Sequence, residues 1–133
     1  MTTLVRQSPT AAFLRRALLA DAAASAATGL LLAFGAHHLT SLLGLPTGLM
    51  RYAGMSLLPF AAIVLYVGLR ASPPRVPVLA IIAYNALWAA DSVLLLVSGL
   101  VHPTLLGGAF VTAQAATVGI FAALQWVGLR RSL

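Results

Sequence analysis

Acidic residues are almost absent from this chain. Of its 133 residues two are Asp, Asp21 and Asp91, and none is Glu. Lys is absent as well: the eight basic residues are all Arg, and the net charge is +6. Cys is absent, which excludes disulfides, thiolate metal sites and Cys nucleophiles. With charged residues at 8%, hydrophobic residues at 61% and a mean hydropathy of +1.00, there is too little charge to cover a soluble domain. The composition instead matches a bilayer. Nucleic-acid binding needs a clustered basic face. Here the Arg residues stand at the ends of apolar runs.

A hydrocarbon core of about 30 Å takes roughly 20 apolar residues in a helix. Four stretches reach that length, about 16–36, 48–69, 77–99 and 104–129. The first exceeds a signal-peptide core and is read as a retained span. HHLTSLLGLPT, ASPPR and VHP break the runs, and the first of these breaks is expected to hold a short interfacial helix. Residues 1–10 are polar and expected to fray. Short loops favour antiparallel neighbours, so the fold class is all-α, a transmembrane up-down-up-down four-helix bundle in one domain. Arg6, Arg15, Arg16, Arg70, Arg75, Arg130 and Arg131 then share one side. The positive-inside rule makes that side cytoplasmic, with both termini there. Arg51, His37, His38 and His102 fall on the other side.

Both carboxylates lie inside apolar spans, where an ionisable group is costly and marks a pairing or a function. Counting from the helix ends at about 1.5 Å per residue puts Asp21, Gln125 and Tyr66 in one layer. Ser25, Asn85 and Gln114 form a second layer near the midplane. Asp91 and Arg51 are close enough in depth to pair. Three polar stripes have helical spacing. They are Asp21, Ser25 and Thr28; Gln114, Thr117, Phe121 and Gln125; and Tyr84, Trp88 and Asp91. Polar faces turn inward in a membrane bundle, so these stripes should converge on a seam. Pro59 should kink the second span and free the carbonyl of Met55 toward that seam. Small residues form two further stripes: Ala22, Ala26, Gly29 and Ala33, and Gly108, Thr112, Ala115, Gly119 and Ala122. They allow close helix approach, within the bundle or in a homodimer.

Each of these residues also has a plain structural role open to it. Asp21 is a candidate proton-binding group, or it pairs with Arg15, Arg16 or Arg70. Asp91 and Arg51, with Trp88, Tyr84, Asn85 and Gln114, are a candidate ligand site, or a structural ion pair and its surroundings. Histidines at an interface are usually solvated, and no metal site or cofactor is expected. No nucleophile–base pair or phosphate loop is present, so the chain is read as a non-enzyme.

The stretch ATGLLLAFGAHHLTSLLGLP followed by LMRYAG, together with YNALWAADS and LQWVGLRR, resembles small four-span bacterial inner-membrane proteins of unassigned activity. The resemblance covers most of the chain and implies a multi-pass protein of that membrane. LLADAAASAATG is also similar in placement to the span-one carboxylate of small multidrug resistance transporters. The chain departs from them in its Asp, its additional Asp91 and Arg51, and its strong charge bias. The expected function is binding of a small molecule, lipid or partner protein through the seam. Proton-coupled transport through Asp21 or Asp91 and a structural or assembly role are the alternatives.

Overall fold

The computed structural model describes residues 9–131 as four helices: α1 (Pro9–Leu43), α2 (Thr47–Gly68), α3 (Arg75–Ser98) and α4 (Leu105–Arg131). All four are long and apolar enough to cross a membrane. They pack as antiparallel pairs, and the fold is the expected all-α bundle. Arg6 and the first eight residues of the segment expected to fray lie outside the described residues. Pro9 and Thr10 already belong to α1.

The helix ends follow from local chemistry. Gly44 and Gly99 adopt positive φ, 68° and 78°, and end α1 and α3 in the left-handed conformation that glycine takes without strain. Pro46 and Pro74 stand just before α2 and α3, where a missing N–H costs nothing. The short interfacial helix expected at 37–47 is instead the last turns of α1. That helix has 35 residues, about 52 Å at the α-helical rise, so it exceeds the hydrocarbon core unless strongly tilted.

The helices form a ring in which α1 packs on α2 and α4, and α4 packs on α3. The backbones of α2 and α3 barely approach one another. The α1–α2 contact is the most intimate. Gly29 lies against Leu57, Leu58 and the backbone of Gly54, and Gly54 lies against the backbone of Gly29 and Ala33. The small-residue stripe of α1 therefore does what its spacing implies. At one end Arg15 donates from Nε to the carbonyl of Gly68 (3.0 Å), covering an open acceptor at the end of α2. At the other end Thr104 clasps α1 to α4. Its hydroxyl donates to the carbonyl of Leu42 (2.8 Å) and accepts from the N–H of Gly107 (3.0 Å), while its own N–H donates to Leu43 (3.0 Å).

The stripe expected on α4 is only half used. Ala115 and Ala122 are buried, but a Cβ added at Gly108 or Gly119 would meet open space, and Thr112 is exposed. The tight glycines of α4 are Gly107, against the backbone of Leu43, and Gly128, against Leu14 and Phe13. Helix α2 continues through Pro59. Pro59 and Met55 both lie on its exposed face, so the expected role of the Met55 carbonyl in the seam is not realised. Two apolar clusters fill the interior. One centres on Leu14, Leu18, Phe60, Val64 and Val78, toward the Arg-rich end. The other centres on Leu32, Ala36, Met50 and Val111, toward the end that carries the histidines.

Candidate functional site: a buried carboxylate network and a lateral cavity

Asp21, Asn85 and Gln125 come from three different helices and meet in the interior. Asp21 and Gln125 have no solvent-accessible surface at all. Asp21 accepts on Oδ2 from Nδ2 of Asn85 (2.7 Å) and Nε2 of Gln125 (2.8 Å), and on Oδ1 from the hydroxyl of Ser25 (3.0 Å). Nδ2 of Asn85 also donates to Oε1 of Gln125 (3.0 Å). Among the described residues no buried side-chain nitrogen or oxygen lacks a partner. The carboxylate is thus held by three neutral donors without a cation, which is a well-satisfied arrangement for a buried acceptor.

The shared level of Asp21 and Gln125 matches the depth count. Asn85 was placed one layer deeper, yet it bonds directly to Asp21. It also bonds Gln125, whose depth was counted from the other end of the chain, so the start of α1 is not the cause: counting by backbone rise leaves out the reach of the side chains. Tyr66, counted into the same layer, is exposed and lies beside Arg70 instead. Two of the three alternative partners named for Asp21 are used elsewhere: Arg15 on the end of α2, and Arg70 on Tyr66.

A second polar group lies further toward the histidine-bearing end. The indole N–H of Trp88 donates to Oε1 of Gln114 (2.8 Å). Nε2 of Gln114 donates to the hydroxyl of Ser92 (2.8 Å), and that hydroxyl donates to the carbonyl of Trp88 (2.8 Å). Where α2 and α3 part, large side chains fill the space between them. The Phe60 and Tyr84 rings stack at 4.0 Å, Tyr84 stacks on Trp88 at 5.9 Å, and Tyr84 shares a 3.1 Å hydrogen bond with Ser56.

Beyond this aromatic bridge the gap opens into a cavity of about 270 Å³, lined by residues of all four helices. Its walls are almost wholly apolar, with Leu32, Leu45, Met50 and Phe110 among them; Trp88, Asp91, Ser92 and Gln114 also line it but present almost no polar surface to it. The exposed lining residues Leu49, Tyr52 and Asp91 belong to α2 and α3, which puts the mouth between those helices on the outside of the bundle. A smaller cavity of about 130 Å³ lies alongside Asp21, Ser25, Thr117 and Phe121. Thr28, Trp88 and Gln114 line both cavities, so the Trp88–Gln114 pair forms part of the partition between them. The polar stripes of α1 and α4 do converge, on this smaller cavity.

The expected Arg51–Asp91 pair is not formed. Both side chains are exposed, and no ion pair joins them. The physical reason is the separation of α2 from α3 at this end. Matched depth brings charges together only when the helices that carry them also touch. Asp91 remains at the cavity, whereas Arg51 is not among its lining residues. Ser25, Thr28 and Ser92 complete the polar interior. Their signal was helical spacing from Asp21 on α1 and from Trp88 on α3. No protein-family model, curated protein or solved structure matches the chain, so the resemblance to small four-span membrane proteins identifies no family and the four-span architecture is what stands.

Proposed function

We propose that this protein is a membrane-embedded binder that draws a small apolar or amphipathic molecule sideways out of the bilayer. The observation that carries this reading is the lateral cavity, with its mouth between α2 and α3 and an almost wholly apolar wall. Sites for small molecules are commonly concave and apolar, with a few convergent polar groups, and they occur between the helices of bundles. Ala53 lines the cavity, and replacing it with Phe would fill part of it. Native mass spectrometry of the parent released from its membrane should show a bound small molecule that Ala53→Phe lacks. The same adduct on both proteins would place the binding elsewhere.

Proton-coupled transport is the second reading, and one observation favours it. The cavity beside Asp21 is divided from the lateral cavity in part by Trp88 and Gln114. The amides of Asn85 and Gln125 can turn over and exchange donor for acceptor. The network can therefore satisfy Asp21 in either protonation state.

The orientation reading rests on charge. Arg15, Arg16, Arg70, Arg75, Arg130 and Arg131 stand at or near one end of the antiparallel bundle, with Arg51 toward the other. That end belongs in the cytoplasm of a bacterial cell. Reporter fusions should find both termini inside and the loop at His102 outside. Termini outside, or in both orientations, would reverse this assignment.

A further inference from the structure

One acidic residue stands at the cavity of this basic protein. The chain carries +6, yet no Arg or His is among the residues that line the lateral cavity, and Asp91 is its one charged group. The only other carboxylate, Asp21, is already occupied by Ser25, Asn85 and Gln125. Among the described residues Asp91 has no ion-pair partner, and it stands on the exposed face of α3. A carboxylate at a membrane-facing apolar cavity is costly without a counter-charge. Nothing within the described chain supplies one.

Resting on the binding reading above, we propose that the lateral cavity takes a cationic amphiphile, with the Asp91 carboxylate as its counter-ion. The ammonium group sits at the mouth beside Asp91, near Trp88 and Tyr52, and aromatic rings attract cations. The apolar part lies against Leu32, Met50 and Phe110. An anionic amphiphile would bring like charge to Asp91, and a neutral one would leave Asp91 uncompensated. The volume of about 270 Å³ is at the small end of ligand pockets. This favours a free single-chain molecule over a two-chain phospholipid whose headgroup happens to carry an ammonium.

The test uses the full chain in maltoside micelles, with Trp126→Phe as background. Trp126 lies well away, in the last turns of α4, so Trp88 becomes the sole indole. Dodecyltrimethylammonium is titrated against dodecanol, following Trp88 fluorescence. The cation should half-saturate the parent at a concentration at least tenfold lower than it does Asp91→Asn. Asp91→Glu should keep the preference, and dodecanol should not distinguish the three. Equal cation binding by parent and Asp91→Asn, with both responses removed by Ala53→Phe, would overturn the charge assignment and leave the cavity as a site for neutral molecules. A Trp88 signal unmoved by either probe would overturn the cavity itself and the proposal with it. Displacement of the cation by added phosphatidylcholine would transfer the site to a lipid headgroup and overturn the free amphiphile.

Discussion

Replacing Gln125 with Leu is expected to destabilise the bundle by about 2–3 kcal/mol, although the two side chains are close in size. A neutral hydrogen bond between membrane helices contributes only about 0.6 kcal/mol on average. Two features raise the cost here. Gln125 donates to a carboxylate, and hydrogen bonds to charged groups contribute about 1.5–3 kcal/mol. It also accepts the second N–H of Asn85, which Leu would leave without that acceptor in the buried interior. Asp21→Asn alters the other end of the same bond. The double change Asp21→Asn with Gln125→Leu should therefore cost less than the sum of the single changes. Unfolding by a denaturing detergent in mixed micelles measures all three. Additive costs would show that Asp21 and Gln125 do not act as one unit.

The second large effect is expected at Gly54. In a helix interior Gly→Ala normally stabilises, by about 0.5–1 kcal/mol. At Gly54 the added methyl would run into the backbone of α1, overlapping the nitrogen of Ala33 and lying 2.7 Å from the oxygen of Gly29. A backbone cannot turn aside as a side-chain tip does, so α1 and α2 must separate. Overpacking of this kind costs about 1–3 kcal/mol, enough to outweigh the propensity gain. Gly54→Ala should lower the thermal midpoint in detergent clearly. Gly119→Ala, which meets nothing, should match or exceed the parent. Equal midpoints for Gly54→Ala and Gly119→Ala would contradict the α1–α2 crossing.

These two sites differ in how far the sequence reveals them. Four helices were legible because each apolar run is long enough to span a bilayer and ends at Gly, Pro or Arg. Asp21 stood out because acid is so scarce, and its level with Gln125 followed from counting turns. Asn85 was assigned to the next layer because a count of backbone rise leaves out side-chain reach, and its amide meets both Asp21 and Gln125. The Arg51–Asp91 pairing failed for a different reason. Depth is one coordinate, and contact also requires helices to be neighbours on the right faces. The face of α4 was hard to assign for a reason peculiar to membranes. Lipid and protein interior are equally apolar, so hydropathy does not say which small residues meet a helix. Gly107 and Gly128 are in contact while Gly108 and Gly119 are open, and all four are the same residue.

The carboxylate network also sets an order of events during synthesis. Asp21 and Gln125 are 104 residues apart. At roughly 5–20 residues per second, the ribosome makes the second about 5–20 s after the first. Throughout that interval Asp21 has Ser25 on its own helix, and later Asn85, but never its full set of donors. A nascent or truncated chain thus carries an incompletely satisfied carboxylate in its first span, and only arrival of the last helix completes its coordination. Asp21 marks the difference between an unfinished molecule and a finished one.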